Sequence, residues 1–158
     1  MKNLKMPFLK QLTIRNWFIV VFLLMSLAGF FDSVYLIWQH GAGLPPPCPI
    51  SSFFDCGEVF KSKYSYIGGV PLSLLGAIFY FAIFSLMIFY AYFARNVIVK
   101  LAAVLAFLGF LASVYFVYLQ VFVIKALCPY CLLSAFISTI LFILSLLILR
   151  LEKAKTLN

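Results

Sequence analysis

Apolar residues run through this chain in four long blocks, Trp17 to Trp38, Pro71 to Ala94, Leu101 to Ile124 and Pro129 to Leu149. Each can cross a hydrocarbon core about 30 Å thick, which takes about 20 helical residues. None has the apolar/polar alternation of a strand, and lipid offers no partner to a free backbone N–H or C=O, so all four are predicted to be helices. The expected fold is an all-α membrane protein, a four-transmembrane-helix bundle forming a single domain over residues 1–158. A basic segment precedes the first block, as in a signal peptide. Its apolar core is longer than the ~7–15 residues of such a peptide, so it reads as a retained helix.

The polar stretch between the first two blocks, residues 39–70, carries Gly41, Gly43, Pro45, Pro46, Pro47 and Pro49, which suppress regular structure. Further on, Asp55-Cys56-Gly57-Glu58 has the spacing of a capping box, with Asp55 as N-cap and Glu58 turned back to its N–H. A short helix from about Cys56 to Lys63 is predicted, apolar at Val59 and Phe60 and basic at Lys61 and Lys63, lying along the membrane surface and roofing the bundle. Gly68-Gly69-Val70-Pro71 turns the chain into the second block, with Pro71 in the first helical turn. The connections Arg95–Lys100 and Lys125–Cys128 are too short for anything but antiparallel neighbours. Ala28 and Gly29, Gly76 and Ala77, and Gly109 and Ala112 allow close approach of helices.

Composition agrees with the pattern: 66% of the 158 residues are hydrophobic and 10% charged, which excludes an ordinary soluble domain. Nine of the 12 basic residues flank one side of the bundle (Lys2, Lys5, Lys10, Arg15, Arg95, Lys100, Arg150, Lys153, Lys155) and three the other (Lys61, Lys63, Lys125). Both termini are therefore expected to be cytoplasmic. The formal charge of +8 comes from these helix-end anchors and forms no continuous patch, which argues against nucleic-acid binding.

With that orientation, all four cysteines lie on the outer side, in two pairs of different character. Cys128-Pro129-Tyr130-Cys131 opens the fourth block, with Cys128 at the N-cap position and Pro129 at the first helical position. Free backbone N–H groups and the positive end of the helix dipole stabilise an anion there, as does nearby Lys125, so Cys128 is the expected thiolate. Cys131 lies one turn deeper, on the same face, within reach of a disulfide and of a lipid-soluble oxidant. Cys48 and Cys56 bracket a loop whose closure restricts the unfolded chain by roughly 2.5 kcal/mol. Such a bond alone reads as a structural staple. Beside a C-x-x-C on the same face it reads as a partner in thiol–disulfide exchange. Only one of the two pairs has the spacing of zinc ligands, so no metal is expected.

Two polar residues stand apart. Asp32, the one formal charge inside a spanning block, is read first as a structural contact with Ser33 or Tyr35 and second as part of a proton path. His40, alone at the mouth of the first helix, is read as a surface residue, with acid–base assistance as the second reading.

Taken together, these residues resemble the vitamin K epoxide reductase family, and within it the bacterial disulfide-forming members. The likeness is carried by Cys48 and Cys56 at the family's separation, Ser62 six positions after Cys56, Pro71-Leu72-Ser73-Leu74-Leu75-Gly76, and Cys128-Pro129-Tyr130-Cys131. The DsbB-type oxidases also have four helices and two cysteine pairs, but their C-x-x-C precedes the loop pair, the reverse of the order here. The resemblance implies an enzyme of the bacterial cytoplasmic membrane with its cysteines on the periplasmic side. A separate soluble DsbA-like thioredoxin-fold protein would be oxidised through Cys48, Cys56 would exchange with Cys128, and Cys131 would reduce a quinone, either ubiquinone or menaquinone. It also implies Phe60, Ser73, Phe79 and Tyr80 as quinone neighbours and Ser62 as a support for the loop. The Asn and Tyr that mammalian members present to vitamin K correspond to Leu72 and Ala135, which have no side-chain donor and speak against epoxide reduction. The rival reading is a non-catalytic four-helix membrane protein whose disulfides only fix an outer loop.

Overall fold

The computed structural model describes residues 5–43, 46, 47 and 54–157, with side chains described between 14 and 154. Four of its helices are long and apolar enough to cross a membrane, over Ile14–Gly41, Leu72–Phe93, Asn96–Ile124 and Pro129–Ala154. They belong to α1 (Lys5–Gly41), α3 (Leu72–Phe93), α4 (Asn96–Tyr118, continued by a π-helical turn, Leu119–Ile124) and α5 (Pro129–Leu157). Helix α1 packs on α3 and α5, and α4 on α3 and α5, so the four close into a ring.

The core of the ring is built from Phe22 of α1, Tyr80, Ile83 and Met87 of α3, Val99, Ala102 and Ala106 of α4, and Ile137, Leu141 and Ile148 of α5. The buried face of α4 is alanine-rich, Ala102, Ala103 and Ala106, which brings its backbone close to its neighbours. Large apolar side chains such as Phe31, Phe81, Val104 and Phe136 point outward. Lipid rather than water is the solvent that suits that surface.

Close approach is visible at the glycines. A Cβ at Gly29 would meet the Tyr80 ring, one at Gly76 the Ser33 hydroxyl, and one at Gly109 the Phe79 ring. The expected small-residue contacts therefore exist, and they seat particular side chains of α1 and α3.

Several boundaries differ from those read in sequence. Helix α3 starts at Leu72, because Pro71 is its N-cap residue with extended backbone (ψ 136°) and pairs in a two-stranded ribbon. That ribbon, β1 (Tyr66–Ile67) with β2 (Val70–Pro71), was not expected. It turns through Gly68 and Gly69 at φ 58° and 83°, a pair of left-handed residues that suits a two-residue hairpin. Helix α4 starts at Asn96 rather than Leu101, because Ala94 in the left-handed conformation (φ 48°) reverses the chain within two residues. Helix α5 runs past Leu149 to Leu157. Its extension is held by Glu152, which pairs with Arg15 at 3.3 Å and accepts the Tyr90 hydroxyl at 2.8 Å. Arg15, read as a topological anchor, is thus also half of a largely buried ion pair joining α1 to α5.

The surface helix is shorter than predicted. Helix α2 spans Cys56–Lys61, followed by a 3-10 turn over Lys63–Ser65. Asp55 caps it, its carboxylate accepting from Gly57 N–H at 2.9 Å and Glu58 N–H at 3.1 Å. Ser62 ends it, its hydroxyl donating to Val59 O at 2.8 Å.

Candidate redox site and cavity

At the start of α5 the chain folds as its local chemistry requires. The Cys128 carbonyl accepts the first helical bond, from Leu132 N–H at 3.0 Å, and its sulfur faces Cys131 N–H at 3.4 Å. Both mark Cys128 as the N-cap. Cys128 and Cys131 are free thiols, and Cys128 is only 3% exposed. Its pKa is lowered from the ordinary cysteine value, first because the Cys131 thiol donates to its sulfur and then because the N–H groups of Cys131 and Tyr130 point at it. Burial and the charge of Asp32 oppose the shift, and Lys125, expected to favour the thiolate, is not among the groups acting on it.

The backbone of Cys128 is held by a residue that the sequence did not single out. Gln120, 4% exposed, accepts Cys128 N–H on its side-chain oxygen at 2.9 Å. Gln120 lies in the π-helical turn, which ends at Lys125 in the left-handed conformation (φ 59°), with Ala126 N–H returning to Gln120 O at 3.2 Å. A π turn inserts one extra residue per turn and so re-aims a side chain, a frequent feature of functional sites. The one signal in the sequence was a lone Gln inside an apolar helix.

Two contacts bring the loop over this helix end. Phe54 forms an isolated parallel bridge with Leu127. The Tyr130 hydroxyl, with its ring 5.4 Å from that of Tyr35, reaches Pro47 O at 3.4 Å. Cys56, in the first turn of α2, is buried and disulfide-bonded. Cys48 lies outside the described residues.

Beneath the loop is a cavity of about 410 Å³ with a mostly apolar wall. Cys56, Cys128 and Cys131 all line it, together with Phe60, Ser62, Ser73, Phe79 and Tyr80. Every described residue expected at the site therefore borders one space, as do Leu72 and Ala135. The Tyr80 hydroxyl donates to Ser134 O at 2.8 Å and shares a second hydrogen bond with the Ser134 hydroxyl at 2.8 Å, which ties α3 to the cysteine-bearing turns of α5.

The polar atoms of the wall divide into satisfied and unsatisfied. His40, expected to stand alone, shares a 2.6 Å hydrogen bond with the Tyr66 hydroxyl, and its ring lies 3.9 Å from that of Phe60. It fastens the end of α1 to α2 and to the ribbon. Asp32 does not make the structural contact expected of it: the Tyr35 hydroxyl accepts from the Gln39 side-chain amide at 2.9 Å, and the buried Oδ2 of Asp32 has no hydrogen-bond partner among the described residues. Ser73 Oγ is likewise buried without a partner among the described residues.

A paired thiol at a helix N-terminus, a second sulfur beside it and an apolar cavity touching both can exchange disulfides and hold a flat apolar molecule with polar ends. The family model for the vitamin K epoxide reductase family matches residues 20–146. No curated protein matches the chain. The match runs from the first spanning helix through most of the last and includes all four cysteines, and on that ground the chain belongs to the vitamin K epoxide reductase family, whose members are membrane thiol–disulfide oxidoreductases.

Proposed function

We propose that this protein reoxidises a soluble periplasmic thioredoxin-fold protein of the DsbA-like kind and passes its electrons through Cys48/Cys56 and Cys128/Cys131 to a membrane quinone. On this reading the protein sits in a bacterial cytoplasmic membrane with both termini inside and the cysteines outside. The observation that carries it is the meeting of Cys56, Cys128 and Cys131 on one apolar cavity.

In the proposed cycle a thiolate of the partner attacks Cys48, breaks the Cys48–Cys56 bond and releases Cys56 as thiolate. The partner's second thiol resolves the mixed disulfide, so the partner leaves oxidised. Cys56 then attacks Cys128 of a Cys128–Cys131 disulfide and expels Cys131. Closure of the loop disulfide by Cys48 leaves the C-x-x-C reduced. A disulfide at Cys56 with free thiols at Cys128 and Cys131 is the state that stands ready to give electrons to the quinone.

The wall residues fit such an acceptor. Phe60, Phe79 and Tyr80 supply flat apolar surface, and Ser73 Oγ is a buried hydroxyl still in need of a partner. A quinone carbonyl would satisfy it. When bound, the quinone supplies the capacity to take two electrons and two protons. Ser62 fixes the end of α2, and so the roof, through its bond to Val59 O.

The test is quinone consumption by purified protein given a reduced thioredoxin-fold substrate. Turnover is expected in the wild type and absent in Cys131→Ser. Cys48→Ala is expected to block the protein substrate yet to leave slow oxidation of a small dithiol that reaches Cys128 directly. Wild-type protein that oxidises neither kind of thiol, or Cys131→Ser with undiminished turnover, would reject the route.

A further inference from the structure

We propose that Asp32 is the proton carrier of the cavity, taking the proton of Cys131 as the Cys128–Cys131 disulfide closes and delivering it to an oxygen of the reduced quinone. This rests on the quinone reading above and adds to it the group that moves the proton.

The placement of Asp32 is the first reason. It borders the same cavity as Cys128, Cys131 and Ser73, its Oδ2 is buried, and no side chain or backbone group among the described residues satisfies that oxygen. An ionisable side chain inside a spanning helix is a functional candidate by default. The usual structural explanation, a hydrogen-bonded partner, is missing for that oxygen among the described residues.

Elimination is the second reason. The other titratable groups on the cavity wall are His40 on α1, Cys56 and Tyr64 in the outer segment, Tyr80 on α3, and Cys128 and Cys131 on α5. The two α5 thiols are the electron donors, and Cys56 is disulfide-bonded. The Tyr80 hydroxyl is committed to Ser134, and His40 to Tyr66 at the outer end. Tyr64 belongs to the outer 3-10 turn rather than to a spanning helix. Asp32 is the one carboxyl group on the cavity wall, and its Oδ2 is uncommitted among the described residues. Its charge also reaches Cys128, where it opposes the thiolate.

The balance closes with one outside proton. The reduced C-x-x-C starts as a Cys128 thiolate and a Cys131 thiol. Formation of the S–S bond breaks one S–H bond and sends two electrons from sulfur to the quinone. Two protons must follow: that of Cys131, through Asp32, and one from water at the outer mouth, replacing the proton Cys128 lost on becoming a thiolate.

The experiment has one arm without quinone and one with it. In the first, reduced protein is closed to the Cys128–Cys131 disulfide by a soluble thiol oxidant and followed by infrared difference spectroscopy. One carboxyl band is expected to gain a proton in the wild type, to vanish in Asp32→Asn and to shift in Asp32→Glu. In the second, Asp32→Asn is expected to slow quinone reduction by pre-reduced protein about a hundredfold, the usual worth of a positioned acid–base group, and to change its pH profile, with Asp32→Glu recovering most of the rate. If Asp32→Asn does not fold, the wild type and Asp32→Glu spectra still decide. A carboxyl signal in protein that never reduces quinone would support the proton uptake while ending the quinone reading. No carboxyl change in the wild type, or an Asp32→Asn variant with unaltered rate and pH profile, would overturn the proposal.

Discussion

Phe54 and Leu127 pair as an isolated parallel bridge, two residues before Cys56 on one strand of chain and one residue before Cys128 on the other. This backbone contact joins a loop to a helix end far away in sequence. It sets the two sulfur-bearing segments side by side over the cavity that Cys56, Cys128 and Cys131 all line.

If that neighbourhood is the route of electrons, removal of Cys131 should arrest the relay between the pairs. Without Cys131, the Cys56–Cys128 disulfide formed when the Cys128 thiolate attacks the loop disulfide can be reversed only by the Cys48 thiol it frees, so a population of it persists. Non-reducing peptide mapping of Cys131→Ser is expected to find a Cys56–Cys128 disulfide with Cys48 free. Recovery of only the loop disulfide, even after prolonged incubation, would place the two pairs out of reach of each other.

The lowered pKa of Cys128 gives a pH dependence with a definite sign. Because the thiolate is the reactive form, alkylation of the reduced protein at Cys128 should reach half its maximal rate below the pH near 8.5 typical of a free cysteine. The largest cause is the hydrogen bond from the Cys131 thiol. Cys131→Ala should therefore move the midpoint upward, and a titration of alkylation rate against pH reads both values. An unchanged midpoint in that variant would assign the shift to the helix N–H groups alone.

Glycine substitutions separate packing of the cavity wall from general tolerance. At Gly29 a methyl group would meet the Tyr80 ring, and at Gly109 the Phe79 ring, whereas at Gly41 nothing stands within 4 Å. Gly29→Ala and Gly109→Ala are each expected to destabilise the protein by about 1–3 kcal/mol through overpacking. Gly41→Ala should be close to neutral. Thermal unfolding in detergent checks the stability, and the turnover assay checks whether displacement of either ring also weakens quinone use.

At the opposite end of the bundle, Glu152 holds Arg15 and Tyr90 together away from the cysteines. Glu152→Ala would leave Arg15 largely buried without its counter-charge, at a cost of about 3 kcal/mol. Denaturant unfolding in micelles is the measurement. Thiol exchange between the two pairs, measured below the unfolding transition, is expected to keep its wild-type rate. A large loss of exchange in folded variant protein would show that the two ends are coupled.

The sequence by itself determined the number of spanning helices, the antiparallel order of neighbours and the presence of a capped helix after Asp55. These follow from local, additive properties: an apolar run long enough for lipid, a short connection, a side chain able to reach the next N–H. The N-cap role of Cys128 was legible for the same reason, since Cys128-Pro129 carries its own start signal. Boundaries slipped where a single backbone angle decided the outcome, as at Ala94, or where a distant partner extended an element, as Arg15 and Tyr90 do for α5.

Only the tertiary structure decided what the polar residues do. Gln120 reaches Cys128 N–H from a π turn that hydropathy does not reveal, His40 acquires Tyr66 and Phe60 as neighbours, and Asp32 is left without the partners its own helix offered. Each of these outcomes depends on the direction of a side chain relative to a segment placed by long-range packing. Hydropathy and spacing report how long a helix is and where it starts, but not which neighbour its polar atoms will meet.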